Sequence, residues 1–209
     1  MPQPLKVRRL GVTDFEATCN AMQRFTADRT PETPDELWLT EHPPVYSLGL
    51  NRKNVRLPSR DDIPLVHTDR GGKMTYHGLG QVVIYVLLDL KHHNLNIRSL
   101  VSLLENTVIG LLANYGVVAT AKTDAPGVYV TDTHGQEAKI ASLGLRIKNN
   151  CCYHGLSLNV EMDLSPFSAI DPCGYVDMPV TQTLNLGINA NANEISEMLL
   201  TALVSKLKY

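Results

Sequence analysis

The sequence predicts an α/β (or α+β) fold in which mixed β-sheets are flanked by helices. Apolar residues alternate along the chain between the three-to-four spacing of amphipathic helices and the short continuous runs of buried strands. Two strand-like segments, 127–130 and 139–147, flank a polar turn, which indicates an antiparallel pair. Because the chain has neither internal repeats nor a low-complexity linker, we expect residues 1–209 to form a single domain.

Three helices are predicted from the apolar spacing. The first begins with a capping box, with Thr13 as N-cap and Glu16 three residues later, and runs to about Ala27. The second follows the N-cap residue Asn96 and stops at Gly116, and the third follows Asn193. The faces expected to be buried consist of Phe15, Met22 and Phe25; Ile97, Leu100, Val101, Leu104, Val108, Leu111, Leu112 and Tyr115; and Ile195, Met198, Leu199, Ala202 and Leu203.

Strands are predicted where short apolar runs lie between turn-forming residues. The clearest is 82–88, which carries no charged residue and is typical of a buried strand. The others are 36–40, a short strand after Pro43 and Pro44, 65–68, 127–130, 139–147 and 153–160.

Composition and charge exclude several classes of function. A formal net charge of −2 does not indicate a nucleic-acid surface, and no apolar run is long enough to span a bilayer. Residues 1–11 lack the apolar core of a signal peptide. The four cysteines have no framework spacing, which favours reduced thiols and a cytoplasmic location.

The most informative segment is the glycine-rich corner, residues 70–81, which reads RGGKMTYHGLGQ and precedes the buried strand 82–88. Its four glycines argue against a regular element and allow close approach of backbone to a ligand. Arg70, Thr75, His77 and Gln81 make this corner the best candidate for the wall of a binding site.

Five motifs in order carry a resemblance to a known family: residues 70–81, 127–130, 139–144, 154–159 and 171–174. Together they resemble the lipoyl(octanoyl) transferases of lipoate biosynthesis, within the superfamily of biotin and lipoate protein ligases. The resemblance covers nearly the whole chain, including residues 42–49. One departure is Leu79, which stands where the family has proline; losing proline relaxes φ but removes no reactive group.

The resemblance implies a fold, a reaction and a set of partners. The expected fold is that of the biotin/lipoate ligase catalytic domain. The expected reaction moves an octanoyl group from the thioester of acyl carrier protein to a lysine of a lipoyl domain, in 2-oxoacid dehydrogenase E2 subunits or glycine cleavage H protein. No cofactor, metal, nucleic acid or membrane is expected. The implied substrate-binding residues are Arg70, Gly71, Gly72, Lys73, Met74, Thr75, Tyr76, His77, Ser142, Leu143, Gly144, Gly155, Leu156 and Ser157.

The same resemblance implies Cys173 as the acyl-accepting nucleophile and Lys139 as its partner. Cys173 lies between Pro172 and Gly174, which is typical of a tight turn and not of an apolar strand face. A charged Lys139 would stabilise the thiolate, whereas a neutral Lys139 would take the thiol proton directly. The sequence leaves both protonation states open, and either allows Lys139 to act as general acid and base.

Other polar residues receive structural interpretations. His154 is interpreted as structural, and His77 as either structural or chemical. The adjacent Cys151 and Cys152 do not have zinc-ligand spacing, and His92 and His93 are expected to be solvated. A basic patch of Arg52, Lys53 and Arg56 is a candidate surface for an acidic partner.

Two alternatives remain open at this level. An ATP-dependent lipoate or biotin ligase would share the fold but would leave Cys173 unexplained. A non-catalytic acyl-binding module would leave both Cys173 and Lys139 unexplained.

Overall fold

The computed structural model describes residues 4–131, 135–172 and 178–207, and within them it forms two β-sheets and three α-helices. The helices are α1 (Phe15–Ala27), α2 (Ile97–Ala113) and α3 (Ala192–Lys206). The strands are β1 (Lys6–Val12), β2 (Glu36–Glu41), β3 (Val45–Leu48), β4 (Leu65–His67), β5 (Met74–His77), β6 (Gln81–Asp89), β7 (Ala119–Ala121), β8 (Gly127–Thr131), β9 (Glu137–Lys148) and β10 (Cys151–Asn159). None of the described helices is long and apolar enough to cross a membrane.

Both sheets are mixed, which confirms the predicted fold class. The larger sheet has the order β1-β2-β6-β10-β9-β8-β7, and only its β1–β2 pair is parallel. The smaller sheet has the order β4-β3-β5, with β3 and β4 parallel. The β8–β9 register shifts by one residue: Val128 faces Ala141 and Tyr129 faces Lys139, so Ile140 has no residue opposite it. This β-bulge lies directly beside Lys139.

Strand β6 is buried on both faces. Ile84 and Val86 pack in one core with helices α2 and α3, whereas Val83 and Tyr85 pack in another with α1. Successive side chains of a strand point to opposite faces, so both faces demand apolar residues. The unbroken apolar run that predicted this strand is therefore explained by helices on both sides.

The helix boundaries correct the predicted caps. The N-cap of α1 is Asp14, whose side chain accepts a hydrogen bond from the backbone N of Ala17, so the prediction of Thr13 was wrong. The Thr13 hydroxyl instead bonds those of Thr18 and Thr40, tying the start of α1 to β2. Asn96 caps α2 as predicted, in a capping box with Ser99.

Helix α3 begins earlier than predicted, with Asn191 as the N-cap in place of Asn193. Three residues assigned to buried helix faces are instead exposed: Ile97, Tyr115 and Met198. Ile97 is the first residue of α2 and Tyr115 lies beyond the end of that helix. Neither is therefore within a complete helical turn.

Three strands were not predicted. β1 and β7 are the edges of the large sheet, and their residues alternate weakly because much of each edge faces solvent. β5 lies inside the glycine-rich corner, so the expectation that this corner contains no regular element was wrong. It pairs with β3 and places Thr75 opposite Ser47.

His92 and His93 contribute to a buried ionic cluster, so the expectation that they are solvated was wrong. The His93 ring is almost fully buried, and its Nε2 lies 2.9 Å from an Asp35 carboxylate oxygen. Arg29 pairs with the same carboxylate, which also accepts from the backbone N of Asp89 at 2.7 Å. Asp35 therefore joins the segment after α1 to the end of β6.

Buried histidines occupy the contact between the two sheets and α1. His77 Nδ1 lies 2.7 Å from Gln81 Oε1, and its Nε2 lies 3.2 Å from Ser47 Oγ. Burial lowers the pKa of His77 to about 3, and the charge of Arg70 acts in the same direction. Burial also lowers the pKa of His42, whose Nε2 is 2.7 Å from the Tyr85 hydroxyl.

The Asp35→Ala substitution should destabilise the fold by about 3–5 kcal/mol, because it leaves Arg29 as an uncompensated buried charge. Urea denaturation measures the loss. Glu197→Ala is the matched control, since Glu197 forms an ion pair with Arg9 at the surface and its removal should cost little. Equal losses in the two variants would contradict the importance assigned to the Asp35 cluster.

The free energy of unfolding should fall as the pH is lowered from about 6.5 towards 3. Over this interval the unfolded chain binds a proton on His77 that the folded state excludes. Replacing this residue in His77→Gln should reduce the slope of that free energy against pH by up to about 1.4 kcal/mol per pH unit. Urea denaturation between pH 4.5 and 7 tests this, and an unchanged slope would show that His77 accepts its proton in the folded state.

Candidate active site

A cleft opens between the glycine-rich corner and strands β9 and β10. The empty space in it is about 490 Å³, including the open mouth. Its lining consists of Phe15, Arg70, Gly72, Lys73, Met74, Thr75, His77, Val83, Tyr85, Ser142, Leu143, Gly144, His154, Gly155, Leu156 and Ser157.

The fold thus brings together residues from all three segments to which substrate binding was assigned. Among the assigned residues only Gly71 and Tyr76 are outside this lining. Gly71 lines an adjoining groove, and its backbone N donates to the Leu145 carbonyl at 2.8 Å. Tyr76 packs instead in the core of the smaller sheet, against Tyr46 and Phe167.

Arg70 holds the corner in place. Its Nη2 donates to the backbone oxygen of Ser47 at 2.7 Å and to the Ser47 hydroxyl at 2.9 Å. Its Nη1 donates to the Gly71 carbonyl at 3.0 Å. A Cβ atom at Gly144 would lie only 3.0 Å from Arg70 Cδ and from the Gly71 carbonyl oxygen, so a larger residue in the facing strand would displace them. This buried guanidinium is a structural anchor of the cleft wall.

The walls of the cleft combine polar and apolar groups. The Thr75 hydroxyl is buried and has no hydrogen-bond partner among the described residues, so it is available to a ligand. His154 has a left-handed backbone (φ 63°), and its Nε2 lies 2.9 Å from an Asp69 oxygen. Burial lowers the pKa of His154, although its bond to Asp69 opposes this, which favours a neutral ring.

Sequence reasoning missed the apolar lining contributed by Phe15, Val83 and Tyr85. Phe15 was assigned to the core face of α1, and it stacks on His77 with 5.1 Å between ring centroids. Val83 and Tyr85 belong to the alternate face of β6, which a continuous apolar run conceals. A motif search cannot find Val83 and Tyr85, because the only sign of their position is that alternate residues of a strand face the same side.

The cleft continues into a wider groove on the side of α2. Gly72, Lys73, Leu143 and Gly144 line both spaces, so the two are continuous. The groove is also lined by Asn51, Ile97, Val101, Asp124, Ala125 and Pro126. A ligand in the cleft could therefore extend towards solvent past α2.

Lys139 belongs to β9, and only 2 % of its surface is exposed. Its Nζ donates to the Pro126 carbonyl at 3.1 Å and to the Tyr129 hydroxyl at 3.3 Å. The amine also lies 5.2 Å from the centroid of the Tyr129 ring. Most lysines keep their amine in solvent, so the buried and hydrogen-bonded amine of Lys139 differs from an ordinary surface lysine.

The backbone of Lys139 holds a second segment of the chain. Its N donates to the Pro179 carbonyl at 2.8 Å, and its carbonyl accepts from Thr181 N at 3.0 Å. A parallel bridge therefore joins Lys139 to Val180. Residues 178–181 follow the predicted nucleophile along the chain, and this bridge fixes them beside β9.

Cys173 itself lies outside the described residues. The three cysteines that are described, Cys19, Cys151 and Cys152, are all buried free thiols. Burial raises the pKa of Cys19 and of Cys152 to about 12, so neither forms the thiolate that nucleophilic attack requires. In the described ranges no cluster of His, Cys, Asp and Glu side chains could hold a metal ion.

Comparisons with known proteins agree with this arrangement. Residues 16–204 match the family described as the lipoyl protein ligase A/B catalytic domain. The octanoyltransferase of Dechloromonas aromatica (strain RCB) is 54% identical over 204 residues, covering 98% of this chain and 97% of that protein. The octanoyltransferase of Laribacter hongkongensis (strain HLHK9) is 51% identical, covering 97% of this chain and 96% of the relative.

Solved structures with the same fold include a lipoate protein ligase from T. acidophilum with bound lipoic acid. It superposes with a TM-score of 0.73 at 17% identity, covering 99% of this chain and 86% of that one. The biotin protein ligase of Aquifex aeolicus gives a TM-score of 0.54 at 14% identity, covering 99% and 70%. At these identities the likeness concerns the fold alone. The family match and the close relatives decide the assignment: the chain belongs to the lipoyl protein ligase A/B catalytic domain family, and within it to the octanoyltransferases.

Proposed function

We propose that the protein transfers an octanoyl group through a thioester on Cys173, with Lys139 moving the protons. The donor is an acyl thioester and the acceptor is the lysine amine of a lipoyl domain, so the product is an amide. The observation that carries this mechanism is the buried amine of Lys139, which donates to the carbonyl of Pro126, a residue that lines the groove.

Support for Cys173 comes from the described chain around it. Pro172 and Met178 line one common pocket, so the two ends that flank residues 173–177 lie near each other. Val180 is bridged to Lys139, only seven positions beyond Cys173. Seven residues of extended chain span at most about 25 Å, so the chain connection from Val180 allows the proposed approach of Cys173 to Lys139. The thiols of Cys19 and Cys152 are buried, and burial raises their pKa values.

The first half-reaction exchanges one thioester for another. The thiolate of Cys173 attacks the octanoyl carbonyl, the bond from that carbon to the carrier sulfur breaks, and Lys139 gives a proton to the departing carrier thiol. Because both the reactant and the product are thioesters, the step is close to thermoneutral and consumes no nucleotide.

The second half-reaction makes the amide. The acceptor amine attacks the acyl-enzyme carbonyl, Lys139 accepts the proton that this nitrogen loses, and the Cys173 thiolate leaves. One group therefore gives a proton in the first half and takes one in the second. Turnover returns both Cys173 and Lys139 to their starting states.

The alkyl chain is proposed to lie in the cleft. Val83, Leu143 and Leu156 supply apolar walls there, and burial of each methylene contributes about 0.8 kcal/mol. The hydroxyl of Thr75 and the backbone of residues 70–77 supply polar groups for the carbonyl. The donor's arm and the acceptor lysine then approach through the groove beside α2.

We further propose octanoyl-acyl carrier protein as donor, and E2 lipoyl domains and glycine cleavage H protein as acceptors. Residues 1–209 act as one catalytic domain in the cytoplasm. Arg52, Lys53 and Arg56, all with exposed surface, form the candidate docking patch for an acidic partner. Association that is insensitive to salt would exclude this patch.

Incubation with octanoyl-acyl carrier protein, without ATP, should add the mass of one octanoyl group to the protein. Intact-mass spectrometry measures the adduct, which should be absent in Cys173→Ser because the thiol is lost. Lys139→Ala and Lys139→Arg should abolish transfer to a lipoyl domain while leaving the circular dichroism spectrum unchanged. The exposed Lys148→Ala is the matched control on the same strand.

Each outcome separates the alternatives. Transfer that requires ATP would identify a ligase, and octanoyl binding without a covalent adduct would identify a binding module. Near-normal turnover in either Lys139 variant would exclude the proton-transfer role.

His77→Ala should lower turnover much less than Cys173→Ala, because the His77 ring is hydrogen-bonded to Ser47 and Gln81 and acts through the shape of the cleft. Steady-state transfer to a lipoyl domain measures both variants. Equal losses would assign His77 to the chemical steps.

A further inference from the structure

Helix α2 carries a buried carboxylate that the mechanism above does not use. Glu105 is 6 % exposed and lies among the buried residues of that helix, next to Leu104. A carboxylate in an apolar setting needs a hydrogen-bond partner to offset its loss of water. Within the described part of the chain, the partner of Glu105 is the backbone N of Gly127, which donates to its Oε1 at 3.0 Å.

The segment that this bond holds also contacts Lys139. Gly127 follows Pro126, whose carbonyl accepts from the Lys139 amine at 3.1 Å. A Cβ atom on Gly127 would lie 2.6 Å from Cε and 2.8 Å from Nζ of Lys139, so the segment and the lysine are in close contact. We name residues 125–127 the lysine cradle.

The lysine cradle is held at both ends. At one end the Tyr129 hydroxyl donates to the Ala125 carbonyl at 2.8 Å, and at the other Glu105 accepts from Gly127. Tyr129 also contacts the amine itself, through its hydroxyl and its ring. Glu105 is therefore the anchor of the cradle that comes from outside β8 and β9.

We propose that Glu105 is a positioning residue for Lys139, which fixes Gly127 so that the Pro126 carbonyl meets the lysine amine. This inference rests on the function proposed for Lys139. Burial raises the pKa of Glu105, and the bond from Gly127 and the charge of Lys139 oppose that rise, which agrees with a carboxylate close to the amine. The role requires an acceptor oxygen at this position rather than a negative charge.

Two substitutions separate the acceptor from the charge. Glu105→Ala removes the acceptor and should lower kcat by about 10- to 100-fold with KM unchanged, because the amine loses its alignment with the reacting atoms. Glu105→Gln keeps an amide oxygen that can accept from Gly127 and should retain kcat within about threefold of the original enzyme. Glu137→Gln is the matched control, a carboxylate of β9 that pairs with Lys122 at the surface.

Transfer kinetics and crystal structures of the same variants give independent readouts. We expect the distance from Lys139 Nζ to the Pro126 oxygen to lengthen beyond hydrogen-bond range in Glu105→Ala and to persist in Glu105→Gln. An unchanged distance in Glu105→Ala, or kcat equally low in both Glu105 variants, overturns the inference. If the unsubstituted enzyme forms no octanoyl adduct, the proposed function is wrong. The distance from Lys139 Nζ to the Pro126 oxygen in the variants then decides the role of Glu105.

Discussion

The burial of one amine constrains much of this structure. An amine removed from water must be hydrogen-bonded in either protonation state, because an unpaired polar group in the interior costs free energy. Lys139 meets this demand with the Pro126 carbonyl and the Tyr129 hydroxyl. Each partner is itself held, Pro126 through Gly127 and Glu105, and Tyr129 through Ala125. Strands β8 and β9 and helix α2 therefore share one requirement, which is to keep oxygen atoms around a single nitrogen.

The buried guanidinium in the wall of the cleft is subject to the same requirement. Arg70 is buried where its guanidinium bonds the backbone and hydroxyl of Ser47, and Gly144 leaves room for its side chain. Glycines in two of the five motifs that carried the family resemblance thus make room for buried basic side chains, Gly144 for Arg70 and Gly127 for Lys139.

The sequence predicted much of this arrangement, and its failures have physical causes. Strand β6 and helix α2 were predictable because their apolar patterns are long and uninterrupted. Edge strands β1 and β7 were not, since solvent removes the demand for apolar residues on one side. The Asp35 cluster and the role of Glu105 depend on contacts between residues far apart in the chain, which no local pattern encodes. Motifs located most of the cleft lining because those residues are consecutive within each of three short segments. The lining residues of β6 and α1 were missed because their sequence pattern is that of a buried core.

The bulge at Ile140 limits how this protein can vary in length. Lys139 and the cleft wall formed by Ser142 to Gly144 share strand β9, yet the two are in different registers with β8. An insertion or deletion of one residue between these positions would change the side of the sheet to which one of them points, relative to the other. Changes in length before Glu137 leave this relationship intact. Relatives of this chain that keep the chemistry should therefore tolerate gaps on the N-terminal side of β9 and no one-residue gap between the amine and the wall.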